Sequence, residues 1–228
     1  MSNRIVIVGG MGPQASLELH RRIIAAAAQL GARDNEDYPE ILHASIPITD
    51  FINSGDKSLG LKQLLTSLEN LHFRDDDQVI IACNTVHLLL PDLEAQLGKS
   101  FMSLVSAVTG EMKSVHAQCV GLLALPTTVQ SKLYERPLSD IRCAVIVTTT
   151  DEIDVLEKAI RHILADGSAD KVTTLIDPII SRMKQTGATH IILGCTELSV
   201  MYNSTEDPAL IDPLSVICKQ IKYPRSKQ

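Results

Sequence analysis

The sequence predicts an α/β protein built from two pseudosymmetric domains, each with a mostly parallel sheet. Short apolar strands alternate with amphipathic helices along the chain, which is typical of parallel βαβ units. Each half begins with a strand and a turn-forming loop, near residues 9–13 and 126–128. Each half also places a cysteine directly after an apolar run, at positions 83 and 195. The spacing of the two cysteines, close to half the chain length, suggests a duplication.

Hydrophobic periodicity defines the elements of the first half. Glycine and proline punctuate them, with Gly31 ending the first helix and Pro47 closing the second strand. In order, the predicted elements are a strand at 4–8, a helix after Pro13 with Leu19, Ile23 and Leu30 on one face, a strand at 40–46, a helix with leucines between 61 and 71, a strand at 79–82, a weaker strand near 101–105 and a helix through Met112.

The second half repeats the alternation. One helical pattern between residues 172 and 183 contains Pro178, so we expect that helix to kink or break. In order, the predicted elements are a strand at 119–125, a strand at 143–147, a helix at 153–163, the proline-containing helix, a strand at 191–193, a short strand at 210–211 and a last helix at 214–221. We expect the first domain to span residues 1–112, joined by the segment 213–228, and the second to span 113–212.

Composition limits the class of protein. The chain has 228 residues, 45% of them apolar, so it can bury a substantial core. Its net charge of −6, without a lysine or arginine cluster, argues against a nucleic-acid partner. The first residues resemble a strand and not a signal peptide, and no apolar run is long enough for a membrane span. Five cysteines, an odd number, predict a reduced, cytoplasmic protein without a disulfide framework.

Cys83 and Cys195 lie where a strand leads into a helix, the position at which open α/β sheets bind ligands. Exposed N–H groups and the helix dipole lower a cysteine pKa at such a position from its usual value of about 8.5. The side chains of Asn84, Thr85 and Thr196, with nearby backbone N–H groups, can hold a carboxylate. One sulfur as thiolate could remove an α-proton while the other, as thiol, protonates the opposite face.

A cysteine at a strand end is often only a small buried hydrophobic residue. That interpretation suits Cys119, Cys143 and Cys218, which lie inside apolar runs, but Cys83 and Cys195 are each followed by polar side chains. We assign no role to His87. Glu197, in the first helical turn after Cys195, is a candidate for a supporting role.

The segment from Gly10 to Ala15 follows a strand and has the outline of a dinucleotide-binding loop, G-x-G-x-x-A. That motif also needs an acidic residue at the end of the second strand, but none occurs before Asp50. The loop is better explained as bringing backbone N–H groups and Ser16 close to a compact ligand. Thr127, in the corresponding loop of the second half, is a further candidate for substrate binding.

With these motifs the chain resembles the aspartate/glutamate racemase family of cofactor-independent amino-acid racemases. The matching segments occur in the family's order and cover nearly the whole chain. They are GGMGPQAS at 9–16, ACNTVH at 82–87, LGCTELSV at 193–200 and LIDPLSVI at 210–217.

The resemblance implies two pseudosymmetric α/β domains with the active site between them, and usually a homodimer. It implies that Cys83 and Cys195 are the acid/base pair and that Met11 lines the pocket. Asn84, Thr85 and Thr196 would contact the α-carboxylate and the amino group. Decarboxylases of the family generally keep one of the two cysteines, so both cysteines together favour racemisation.

Two positions depart from the pattern of some aspartate racemases. Ile48 occupies the place of an arginine that binds the side-chain carboxylate, and Ala165 and Asp166 replace a basic residue expected before Gly167. The distal end of the substrate could therefore be held otherwise, for example by Lys57, or be less charged.

The sequence therefore predicts an amino-acid racemase without cofactor or metal, with aspartate or glutamate as the default substrate. Two alternatives remain at this stage. One is a non-catalytic amino-acid-binding protein with the same cleft, and the other is a dinucleotide-binding α/β protein.

Overall fold

The computed structural model describes residues 4–48, 57–165, 169–202 and 207–224. The chain divides into two compact units, one made of Met1–Ser103 with Ile217–Gln228 and the other of Leu104–Val216. The predicted boundary after residue 112 therefore falls inside a helix that clusters with the second unit.

The first unit contains a parallel three-stranded sheet in the order β2-β1-β3. Its strands are β1 (Ile5–Gly9), β2 (Ile41–Ser45) and β3 (Gln78–Ile81). Its helices are α1 (Pro13–Gln29), α2 (Lys57–Leu68) and α3 (Leu90–Leu97), with short 3₁₀ turns at Asn35–Asp37, Glu69–Leu71 and Thr85–Leu89. β1 is completely buried in the middle of the sheet, which explains its uninterrupted apolar sequence.

The second unit contains a parallel four-stranded sheet in the order β5-β4-β6-β7. Its strands are β4 (Cys119–Leu123), β5 (Ala144–Val147), β6 (His190–Leu193) and β7 (Leu210–Ile211). Its helices are α4 (Leu104–Ser114), α5 (Pro126–Gln130), α6 (Glu135–Asp140), α7 (Thr150–Leu164), α8 (Ala169–Gln185) and α9 (Leu198–Met201). The last helix, α10 (Pro213–Cys218), crosses the division between the units.

The two sheets have the same internal order. In each, the first strand lies in the middle, the second strand pairs with one side of it and the third strand with the other. The mixed α/β fold with parallel sheets that the alternating pattern predicted is therefore confirmed. Apolar side chains from the strands and from the covering helices form a core in each unit.

Two predicted elements differ in the structure. The weak strand near 101–105 is wrong: Met102 makes only an isolated parallel bridge to Ile80, and α4 begins at Leu104. Of the predicted kink or break at Pro178, the break does not occur, because α8 continues through the proline. Pro178 is exposed, so the carbonyl that loses its N–H partner can face water, while Ile176 and Ile180 hold the apolar side in the core.

None of the helices within the described ranges is both long enough and apolar enough to cross a membrane.

Candidate functional site

The first cysteine turn is the segment Ala82–His87 in the first unit. β1 pairs with β3 so that Val8 lies opposite Ile81, and the Ala82 N–H donates to the Val8 carbonyl at 2.9 Å. This pairing places the loop after β1 beside the turn, because parallel strands end at the same edge of a sheet. Met11, in that loop, packs half-buried against the apolar cluster that includes Cys83.

Cys83 itself is only 4% exposed, and Asn84 and Thr85 are buried beside it. Thr85 begins the 3₁₀ turn that continues into α3, where Pro91 occupies the first turn and cannot disturb a backbone hydrogen bond. The predicted residues Cys83, Asn84, Thr85 and Met11 are thus neighbours within one unit.

His87, to which the sequence analysis assigned no role, holds the backbone of this turn through the Cys83 carbonyl. Its ring is buried, and Nδ1 lies 2.8 Å from the Cys83 carbonyl oxygen. Burial lowers the pKa of His87 to about 4, so the ring is neutral at neutral pH. A carbonyl can only accept, so Nδ1 carries the proton in this hydrogen bond.

The glycine loop has a backbone that other residues rarely adopt. Gly10 and Gly12 both have φ of 94°. A Cβ on Gly10 would lie 2.4 Å from the Ile46 carbonyl oxygen. Ser16 is buried at the start of α1, and its hydroxyl donates to the Pro13 carbonyl at 2.9 Å.

The second cysteine turn is the segment Gly194–Ser199 in the second unit. β6 pairs with β4 in the register Leu193 to Leu123, which brings Gly194 against the loop after β4. A Cβ on Gly194 would lie 2.8 Å from the Leu123 carbonyl oxygen. Glycine at this position therefore allows the turn to approach the neighbouring loop, which leads into α5 with the half-buried Thr127.

Cys195 is half-buried, and its Sγ donates to Oε2 of Glu197 at 2.8 Å. Thr196 is buried between them, and Glu197 is only 7% exposed. The thiol thus faces a carboxylate that can accept its proton. Cys195, Thr196 and Glu197 are brought together within this unit, as their sequence adjacency suggests.

Asp212 was missed by the sequence analysis as a site residue. It follows β7, and its carboxylate accepts the Leu214 N–H at 2.9 Å, as an N-cap does for α10. Oδ1 also accepts the Ser199 hydroxyl at 2.7 Å, which connects Asp212 to the second cysteine turn. Aspartate before proline is a helix-start signal, and it was the available clue.

Three positions discussed for the distal end of the substrate lie apart from the turns in sequence. Ile48 is half-buried against the same apolar cluster as Met11 and Cys83. Lys57 is exposed at the start of α2, and Ala165 is exposed at the end of α7. Asp166 and Gly167 lie outside the described residues.

Within the described ranges, no group of three or more histidine, cysteine, aspartate or glutamate side chains has an arrangement that could hold a metal ion.

The chain thus contains two parallel α/β units, and each has a cysteine turn after its third strand. This repetition defines the class: an α/β protein with two cysteine turns. The family model described as Asp/Glu/Hydantoin racemase matches residues 8–221. The chain belongs to this family of isomerases.

Individual relatives agree with this assignment. A glutamate racemase from Latilactobacillus sakei is 26% identical over 153 residues, which cover 63% of this chain and 54% of the relative. The chain therefore spans about half the length of that curated relative.

Solved structures show the same fold. An aspartate racemase from Picrophilus torridus superposes with a TM-score of 0.80 at 21% identity, covering 96% of this chain and 92% of its own. An aspartate racemase homologue from Pyrococcus horikoshii gives a TM-score of 0.72 at 23% identity, covering 96% and 97%.

Proposed function

We propose that the protein is a cofactor-independent amino-acid racemase that uses Cys83 and Cys195 as its acid/base pair. The observation that carries the proposal is the repetition of one cysteine turn, after the third strand of each sheet, in a member of a racemase family. A racemase must remove a proton from one face of the α-carbon and return one to the other. Two thiols supply these two functions.

In the proposed reaction one cysteine, as thiolate, takes the α-proton and becomes a thiol. The bonding pair of electrons stays on the substrate and is delocalised into its α-carboxylate. The other cysteine, as thiol, gives its proton to the opposite face and becomes a thiolate. A turnover in the reverse direction restores both groups, and so does loss of a proton to water from one sulfur with uptake of a proton from water by the other, so protons balance without a cofactor.

Substrate binding follows from the polar groups beside each sulfur. Asn84 and Thr85 in the first turn, and Thr196 in the second, would hold the α-carboxylate and the amino group. Met11, Ser16 and Thr127 would complete the binding surface. Hydrogen bonds to the carboxylate stabilise the negative charge that develops when the α-proton leaves.

Glu197 supports Cys195 in this scheme. The 2.8 Å hydrogen bond from the thiol gives the proton a place to go, so Cys195 can become a thiolate when it acts as the base.

Aspartate or glutamate is the default substrate, because the similar proteins named above are racemases of these amino acids. If the substrate is an amino acid with a different side chain, we expect Ile48 and Ala165 to account for that preference. We further propose that the protein acts as a homodimer in a reducing compartment such as the cytoplasm. Light scattering on the purified protein tests the dimer.

The deciding experiment is a chiral assay across the proteinogenic amino acids with no cofactor added. The proposal expects loss of optical purity for at least one amino acid, fastest for aspartate or glutamate. Ligand-dependent thermal stabilisation without racemisation would instead identify a binding protein. Stabilisation by NAD and not by any amino acid would favour the dinucleotide alternative.

A further inference from the structure

We infer that Asp212 is a positioning residue for Cys195 and acts through Ser199. The inference rests on the proposed function, since it concerns how one of the two acid/base groups is held. Neither Asp212 nor Ser199 is adjacent to Cys195 in sequence.

The contacts form a short buried chain. Asp212 and Ser199 are each 1% exposed, and the Ser199 hydroxyl donates to Oδ1 of Asp212 at 2.7 Å. The Ser199 backbone N–H donates to the Thr196 carbonyl at 3.2 Å, and the Leu198 N–H donates to the Cys195 carbonyl at 3.1 Å. The carboxylate is therefore connected through Ser199 to the backbone of the cysteine turn.

Asp212 is itself fixed by the end of the sheet and by the helix that follows. β7 pairs with β6 in the register Ile192 to Ile211, so Asp212 emerges beside the strand that leads into Cys195. Its two oxygens accept the Leu214 N–H at 2.9 Å and the Ser215 hydroxyl at 3.2 Å. A carboxylate held this firmly can define where Ser199, and with it the turn, lies.

The negative charge of Asp212 also reaches the buried Tyr134. Burial raises the pKa of the Tyr134 hydroxyl, and the carboxylate adds to this effect. The Asp212 carboxylate in the interior of the second unit thus accepts several hydrogen bonds. A buried charge that receives several hydrogen bonds has a fixed position and resists displacement.

Glu197 depends on this arrangement. The Cys195 thiol and the Glu197 carboxylate belong to the same short turn, and their 2.8 Å contact requires the turn to keep its shape. If the turn shifted by a fraction of an ångström, the sulfur would no longer be aimed correctly at the α-proton.

The test compares Ser199→Ala with Ser215→Ala. Both changes remove one hydroxyl donor from the Asp212 carboxylate, but only the first removes the link to the cysteine turn. Ser199→Ala should lower kcat by about tenfold with little change in KM, because a small misplacement of a catalytic group costs rate more than binding. Ser215→Ala should stay within about twofold of the wild type, because the turn keeps its anchor.

The second readout is the alkylation of Cys195 by iodoacetamide, followed by peptide mass spectrometry, with the half-buried Cys119 in the same molecule as reference. The ratio of the two rates should change severalfold in Ser199→Ala and not in Ser215→Ala. A merely structural role would lower the thermal unfolding temperature of a variant but would not change the ratio of alkylation rates in Ser199→Ala alone. Asp212→Asn, which removes the charge but keeps one oxygen acceptor, should give the same direction of change as Ser199→Ala.

The inference is overturned if Ser199→Ala matches Ser215→Ala in both kcat and the alkylation ratio. Alkylation needs no turnover, so it decides the positioning role even if the wild type racemises no amino acid. A wild type that racemises no amino acid would overturn only the proposed function.

Discussion

The two cysteine turns share a position in the fold but differ in their surroundings. In both, the cysteine lies two residues after the end of the third strand of a parallel sheet, which is Ile81 in one unit and Leu193 in the other. Cys83 is buried in an apolar cluster, and a neutral histidine holds its carbonyl. Cys195 is half-buried and donates to the Glu197 carboxylate.

This difference shows that one backbone arrangement can support two chemical environments. A turn at the end of the third strand carries the cysteine in both units, whereas a residue two to four positions later contacts the backbone of one turn and the sulfur of the other. His87 acts on the backbone of its turn, and Glu197 acts on the thiol itself. Variants that remove a sulfur test the role that the two turns share. Variants of Glu197 and His87 test the contacts in which the turns differ.

The largest effect is expected when either sulfur is removed. Cys83→Ala and Cys195→Ala should each lower racemisation by about 10³-fold or more, because each enantiomer needs both a base and an acid. The chiral assay measures this loss.

Cys119→Ala is the control, since Cys119 lies at the start of β4 and has no proposed role. It should retain wild-type racemisation. Wild-type rates in both Cys83→Ala and Cys195→Ala would show that the two turns are not an acid/base pair.

The second effect concerns the loop after the first strand, which is rich in glycine only in the first unit. Gly10→Ala should destabilise the protein by roughly 3 kcal/mol, because a positive φ and a backbone clash add up. Gly98→Ala also has a positive φ, of 58°, but its Cβ would meet nothing within 4 Å. That control should cost only about 1 kcal/mol.

Urea unfolding of both glycine variants provides the comparison. Equal losses of stability would mean that the close approach of Gly10 to Ile46 contributes nothing.

Glu197→Gln tests the asymmetry between the turns directly. Glutamine keeps the size of the side chain but cannot take the thiol proton, so kcat should fall by about 10- to 100-fold. Glu69→Gln, at an exposed position in the first unit, should leave kcat unchanged. An unchanged kcat in Glu197→Gln would reduce the role of the carboxylate to packing.

His87 predicts a pH dependence of stability. As pH falls below 6.5 the unfolded chain protonates this histidine, whereas the folded chain does so only near pH 4. The folded state therefore loses stability as pH falls through this window, by roughly 1–2 kcal/mol between pH 7 and pH 5. His87→Asn keeps a donor for the Cys83 carbonyl and has no group that titrates.

Urea unfolding at pH 7, 6 and 5 compares the two proteins. The wild type should lose stability more steeply than His87→Asn as the pH falls. Parallel pH profiles would contradict a buried, neutral His87.

Much of this architecture could be predicted from the sequence. Parallel strands buried on both faces have continuous apolar sequences, so β1, β3 and β6 could be predicted. The two cysteines could be identified because polar residues follow them. The strand near 101–105 failed because the pairing of Met102 with Ile80 is limited to one bridge. Such a limit depends on tertiary contacts and not on local pattern.

The roles of His87 and Asp212 could not be predicted for a related reason. A histidine on a helical turn reads equally as solvent-exposed or buried, and only the packing of the first unit decides. Asp212 reads as a helix cap, which it is, but its contact with Ser199 depends on the pairing of β7 with β6. Neither the packing around His87 nor the pairing of β7 with β6 leaves a signal in the local sequence.

The most direct measurement follows α-hydrogen exchange in heavy water, with no cofactor and with one pure enantiomer of the substrate found in the chiral assay. If the two sulfurs serve opposite faces of one carbon, the early product carries deuterium and the remaining substrate does not. Cys83→Ser and Cys195→Ser should then each exchange only one enantiomer, and not the same one. Exchange of both enantiomers by either serine variant, or of the same enantiomer by both, would contradict the account.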